Sequence, residues 1–171
     1  MKNKMRRRIF MISMIRLDER LIHGQVAVVW SRYLGVDRIV VANDEILNNE
    51  TQIMALKMSV PAGIKAFFVS VDKAIALLNN PKSNDLKILV VIDNPKDALK
   101  IAEKVQNIPL INLGNYGRMN NPEGKEKRQL NKTIFVSEQD EQVLRQLIDT
   151  GVKVNIQPVP TDQDISLNEV L

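Results

Sequence analysis

The chain has one histidine, His23, in the run Arg16-Leu17-Asp18-Glu19-Arg20-Leu21-Ile22-His23-Gly24-Gln25. Imidazole is nucleophilic near neutral pH, because its ordinary pKa is about 6.5. Two arginines precede it, and guanidinium groups match the oxygens of a phosphoryl group as paired donors. The run ends where a helical pattern begins. A helix N-terminus supplies free N–H groups and a positive dipole end, both favourable to anions. Residues of these types, spaced this way, suit an imidazole that carries a phosphoryl group.

Composition removes most competing chemistries. The chain contains no cysteine, so disulfides, thiolate metal sites and cysteine nucleophiles are excluded. A single histidine excludes a polyhistidine metal site, and no acidic stretch has EF-hand spacing. No metal site is expected. Neither a G-x-G-x-x-G nor a G-x-x-x-x-G-K-[ST] sequence is present, and no cofactor is expected. Phosphatases and mutases that work through phosphohistidine place Arg directly before His-Gly and need a second histidine. Here Ile22 precedes His23 and no second histidine exists.

The 171 residues fit one domain, with 44% hydrophobic and 26% charged residues, as in soluble globular proteins. The net charge of +4 is concentrated in Lys2, Lys4, Arg6, Arg7 and Arg8. The rest of the chain is near neutral, which argues against nucleic-acid binding. Residues 1–10 read as a basic, disordered leader and residues 11–171 as a single domain. The apolar stretch Ile9–Ile15 is broken by Ser13 and lacks a small-residue cleavage site, so it is not read as a signal peptide. The protein is expected to be intracellular and soluble.

Short β-branched runs alternate with amphipathic stretches. Strands are expected over Ile9–Ile15, Arg38–Ala42, Lys65–Val69, Lys87–Ile92, Leu110–Leu113, Thr133–Val136 and Val152–Val159. Helices are expected over Gln25–Leu34, Glu50–Ser59, Asp72–Leu78, Pro95–Val105 and Glu138–Thr150, with a short one after Pro160. This pattern predicts an α/β fold. It has three layers, α/β/α, around a predominantly parallel sheet of about six to seven strands. In such a sheet, ligands bind at the carboxyl ends of the strands. The loops there carry Arg16 to His23, Asn43-Asp44, Ser70 and Asp72, Asp93-Asn94, and Asn112 to Gly117. Asp44, Ser70 and Asn112 are rim candidates, with helix capping or bracing as the alternative for Asp44. The long irregular stretch Gly114 to Asn131 reads as functional.

The run from Arg16 to Val26, with Trp30 following, resembles the phosphorylation-site signature of phosphotransferase-system IIB components of the mannose/fructose/sorbose family, R-[IL]-D-[DE]-R-L-I-H-G-Q-V. Asn43-Asp44-Glu45, Pro61-Ala62-Gly63, Asn79-Asn80-Pro81-Lys82, Asn94-Pro95, Asn112-Leu113-Gly114 and Gly124-Lys125 are similar to further family patterns. The family's usual Gly-Gly-Met after the fifth strand stands here as Gly114-Asn115-Tyr116. The resemblance implies a phosphoryl relay. His23 accepts the group from a phosphohistidine on a IIA partner and passes it to a sugar held by membrane IIC and IID components. Such a protein is cytoplasmic and peripherally associated with the membrane permease. Arg20 and Arg16 would offset phosphoryl charge, although surface ion pairs with Asp18 and Glu19 are the alternative. Asp18 would orient the imidazole or hold an arginine. Backbone N–H groups around Gly24 and Gln25 would complete the cradle. Lys125 is either a partner contact or a solvated loop residue, and Trp30 is expected to pack in the core. A regulatory IIB-like protein that signals its phosphorylation state is the alternative function, and a homo-oligomer is left open.

Overall fold

The computed structural model describes residues 12–83, 85–119, 124 and 126–171. The expected leader, the first residues of the expected Ile9–Ile15 strand, and Lys125 lie outside them. Strand β1 (Ile12–Asp18) leads into a helix whose first part, Gln25–Trp30, is π-helical and whose last turn is α1 (Ser31–Leu34). There follow β2 (Arg38–Ala42), α2 (Glu50–Met58), β3 (Lys65–Val69), α3 (Val71–Leu78), β4 (Ile88–Ile92), α4 (Pro95–Lys104) and β5 (Ile111–Asn115). The chain closes with β6 (Arg128–Gln129), β7 (Phe135–Val136), α5 (Glu138–Asp149), β8 (Val154–Ile156) and β9 (Ile165–Ser166).

Seven strands form one sheet in the order β3-β2-β4-β1-β5-β8-β9, parallel throughout except for β9, which runs antiparallel to β8. The expected α/β/α architecture holds. The expected Thr133–Val136 strand does not join this sheet. Its Phe135–Val136 part pairs with β6 in a separate two-stranded ribbon. The expected last strand is shortened to three residues, because β9 turns back against it.

Strand alternation decides what each face carries. Ile15 and Leu17 of β1 pack into the core under α3, α4 and α5, while Met14 packs on the opposite face with Val26, Ala27, Trp30 and Leu56. Arg16 and Asp18 therefore lie on the Met14 side, beside the helix that begins at Gln25. The same alternation applies to β5 and β8, where Ile111, Leu113, Val154 and Ile156 take the first core. Asn112 and Asn155 are left on the arginine's side. Register aligns the three: Arg16 pairs with Asn112, and Asn112 with Asn155. A polar row thus crosses three adjacent strands of an otherwise apolar sheet.

Local capping fixes the helices around this sheet. Asn49, Ser70, Asn94 and Ser137 accept from backbone N–H groups three residues on. Ser137 and Asp140 complete a capping box. No helix among the described residues is long and apolar enough to cross a membrane.

One glycine is indispensable to the loop after β5. Gly117 has φ +85°, and a Cβ there would fall inside the Phe135 carbonyl. Gly117→Ala is expected to cost about 2–4 kcal/mol, combining left-handed strain with a backbone clash. A urea unfolding series compared with wild type checks this.

Candidate active site

The site begins at the carboxyl end of β1. A tight turn, closed by Leu21 N–H donating to the Asp18 carbonyl at 2.9 Å, reverses the chain after the strand. Leu21 adopts φ +56°, a left-handed conformation unusual for a branched apolar residue. Its side chain and that of Ile22 are both buried in the second core. These anchors turn the next residue outward, so His23 sits at the rim with its side chain 21% exposed. It lies two positions before the first helical residue, Gln25, near the positive end of the helix.

The two ring nitrogens have distinct partners. Nδ1 lies 3.3 Å from the Leu21 carbonyl, and Nε2 lies 2.7 Å from Arg20 Nη2. A carbonyl only accepts and a guanidinium only donates. These contacts therefore place the proton on Nδ1 and the lone pair on Nε2, which is the neutral ring. Burial pushes the His23 pKa below its ordinary value; the Asp18 carboxylate opposes this, and Arg20 reinforces it. The ring is a neutral nucleophile at pH 7.

The direction of that shift sets a pH dependence. His23 is expected to titrate below 6.5, so that the neutral ring is still the majority form at that pH. The unfolded chain binds its proton first on acidification. This group therefore removes stability over the window from 6.5 down to its folded pKa. As the only histidine, His23 gives an unambiguous ¹⁵N NMR titration, and a midpoint at or above 6.5 contradicts the reading.

Asp18 is fully buried and organises both arginines. Its Oδ1 accepts from the Arg20 backbone N–H at 3.2 Å and lies 3.7 Å from Arg20 Nε. Its Oδ2 accepts from Arg16 Nη2 at 3.1 Å and lies 3.9 Å from His23 Nε2. Both roles expected for Asp18 are thus present in the geometry.

Arg16 and Arg20 differ sharply. Arg20 is 43% exposed and stands beside the imidazole. Arg16 is buried, and the reading of it as a phosphoryl-charge donor or a surface ion pair needs correction. Its Nη1 donates to Asn112 Oδ1 and, at 2.9 Å, to the Gln157 carbonyl. Its guanidinium also lies 5.7 Å from the centre of the Trp30 ring. Alternation on β1 points it under the helix and not toward solvent. Burial lowers its pKa, and Asp18 counters that shift. Arg16 is the internal brace of Asp18. Trp30 packs in the core as expected, with its Nε1 donating to the Pro158 carbonyl at 2.9 Å.

The rim candidates separate in the same way. Asn112 is buried behind the site, where its Nδ2 donates to Asn155 at 2.8 Å and to the Gln157 carbonyl at 3.1 Å. Asp44 accepts from Val71 N–H at 2.9 Å, and Ser70 from Lys73 N–H at 3.2 Å. Their oxygens cap α3. Gly24 is exposed, has ordinary helical angles, and a Cβ there would meet nothing within 4 Å. Open space therefore lies beside the histidine.

Sequence reasoning missed two participants. Glu19 reaches across to the loop after β5 and accepts from the N–H groups of Gly117 (3.0 Å), Arg118 (3.1 Å) and Met119 (3.1 Å). Asn115 lies between Arg20 and the Thr133 carbonyl. The amide orientation that satisfies both puts its oxygen 3.1 Å from Arg20 Nε and its nitrogen 3.2 Å from Thr133 O. Glu19 was legible only as a motif position, and nothing in sequence marks a contact across about a hundred residues. Asn115 did show as a departure from the family pattern.

The sequence model described as PTS system sorbose subfamily IIB component matches residues 12–171. The chain is 35% identical over 156 residues to the sorbose-specific EIIB component of Klebsiella pneumoniae, covering 91% of this chain and 92% of that one. It is 31% identical to the mannose-specific EIIAB component of Escherichia coli (strain K12), covering 94% of this chain and 48% of that longer one. The crystal structure of the IIBSor domain of the sorbose permease from Klebsiella pneumoniae superposes with a TM-score of 0.83 at 34% identity, covering 94% and 98% of the two chains. With this fold, and with a match running from β1 to the last residue, the chain belongs to the sorbose subfamily of phosphotransferase-system IIB components.

Proposed function

We propose that His23 is the residue that carries the phosphoryl group in the sugar phosphotransfer of this family. The observation that carries the reading is an imidazole at the rim, with a half-exposed guanidinium 2.7 Å from its Nε2. In loading, a P–N bond forms on His23 as the P–N bond of the donor phosphohistidine breaks. The donor imidazole leaves with the electron pair. In unloading, a P–O bond forms to the sugar hydroxyl oxygen as the P–N bond on His23 breaks; the ring nitrogen keeps the electron pair and the hydroxyl proton passes to water. Such transfers depend on positioning and charge stabilisation more than on covalent help from the protein.

In the resting site both ring nitrogens are engaged, so acceptance exchanges one of these contacts for the new bond. Arg20 then has donors beside the incoming oxygens, and the backbone around Gly24 and Gln25 lies at the positive helix end. Arg16 acts at one remove, by holding Asp18. The donor is a IIA protein. A relative described as an EIIAB component, of which this chain matches about half, supports that partner. The acceptor is a sugar held by membrane IIC and IID components, which the chain meets at the cytoplasmic face. A nucleophile at an exposed rim can serve two macromolecules in turn, as a deep pocket could not.

Incubation with phosphorylated IIA is expected to leave one acid-labile, alkali-stable phosphate on the peptide containing His23. Membranes carrying the cognate IIC and IID should then discharge it to a sugar, and a sugar panel reads out which. Phosphate on another residue, or none, overturns the proposal.

A further inference from the structure

Asn115 reaches the site through an irregularity in the sheet. Along β1 and β5, Leu17 pairs with Leu113, but the next pair is Asp18 with Asn115, so Gly114 is an extra residue on β5. Such bulges re-aim the side chain that follows them. Gly114 itself lies against the buried Arg16 guanidinium, where a Cβ would overlap its atoms. The arginine therefore fits only because residue 114 has no side chain. The displaced register sets Asn115 opposite Asp18, with its amide oxygen on Arg20 Nε.

Arg20 is thus held at three points. Its backbone N–H is on Asp18, its Nε is on Asn115, and its Nη2 meets His23. Asn115 is fixed in turn by the Thr133 carbonyl. A half-exposed arginine with a free Nε would distribute its donors over several rotamers. One held at Nε keeps its terminal nitrogens toward the imidazole.

We propose that Asn115 is a positioning residue of phosphoryl transfer, acting through Arg20, whose guanidinium it aims at His23. The proposal rests on the reading of His23 as the phosphoryl carrier.

The test measures transfer from phosphorylated IIA for wild type, Asn115→Ala, Asn115→Asp, Arg20→Ala and the Asn115→Ala/Arg20→Ala double variant. His23 is titrated by ¹⁵N NMR in each, and thermal midpoints establish folding. Asn115→Ala is expected to lower kcat about tenfold with KM for the donor changed less than about twofold. Arg20 contributes to the lowered His23 pKa, and Asp18 opposes it with the Leu21 carbonyl, while Arg16 adds a smaller push downward. Loosening Arg20 is therefore expected to raise that pKa. Asn115→Asp keeps an acceptor for Nε but loses the donor to the Thr133 carbonyl, so its kcat is expected to lie between those of wild type and Asn115→Ala. In the Arg20→Ala background the change at 115 should have less than about a 1.5-fold effect.

Unchanged kcat and His23 pKa in folded Asn115→Ala overturn the inference. So does an equal loss with and without Arg20, which would make Asn115 a brace of the loop alone. If Asn115→Ala does not fold, Asn115→Leu, of similar shape but with no acceptor for Nε, replaces it, and unchanged kcat and His23 pKa in that folded variant overturn the inference. Absence of phosphate on wild-type His23 overturns the relay reading itself, a result distinct from any of these.

Discussion

Replacing His23 with alanine is expected to abolish phosphoryl uptake and to reduce sugar phosphorylation by at least about 10⁴-fold, because the chain has no second imidazole. The loss is chemical and not structural. The imidazole is held by the Leu21 carbonyl and by Arg20, at a rim position beside open space. Its removal is expected to change stability by no more than about 1 kcal/mol. The anchors that shape the loop, Leu21 and Ile22, remain buried. The decisive measurement pairs acid-labile phosphate content with a thermal unfolding curve. A folded His23→Ala chain that retains label places the nucleophile elsewhere.

Asp18→Ala is expected to have the largest effect on stability, about 3–5 kcal/mol, because it leaves Arg16 buried without its counter-ion. Arg16 is only 3% exposed and Asp18 is fully buried, so water cannot replace the lost carboxylate. At this chain length the midpoint should fall by roughly 10 °C. The remaining Arg16 partners, Asn112 and the Gln157 carbonyl, are neutral. Transfer is expected to fall as well, since the same carboxylate fixes the Arg20 backbone and stands 3.9 Å from His23 Nε2. Asp18→Asn keeps acceptor geometry while removing charge, and should cost less in stability than alanine. Calorimetry on the two variants checks the order. An Asp18→Ala midpoint within about 2 °C of wild type would refute the burial argument.

The sheet was legible in sequence because its strands are short, β-branched and closely bounded by glycine, proline and asparagine. Arg38–Ala42 and Lys65–Val69 coincide with the observed strands. The Ser137 cap and its Asp140 partner were equally readable, since capping is decided within four residues. Ile165–Ser166 was not read as strand, because two residues carry no periodicity and pair only by turning back on β8. The π-helical character of Gln25–Trp30 was hidden as well, within a stretch whose limits as a helix were correct.

At the site, the motif supplied His23, Arg20 and Asp18 together but did not show that Arg16 is buried. Two guanidinium groups four residues apart look equivalent in sequence. Alternation on β1 and the register with Asn112 sent one into the sheet and left the other at the surface. Ser70 shows the converse case, and Asp44 takes the capping alternative that its position already offered. Both sit at strand ends, as rim residues do, yet their oxygens are taken by the start of α3. Asn115 depends on a register shift at Gly114, which no spacing rule would reveal.

The contact of Glu19 with the loop after β5 has a consequence for selectivity among anions. Three successive N–H groups converging from residues 117 to 119 form a concavity of the kind that captures phosphate in many proteins. Here a side chain adjacent to the catalytic motif fills it permanently. The protein thereby stoppers a decoy berth close to its own histidine. An anion reaching the loop after β5 finds these three donors already taken by a carboxylate.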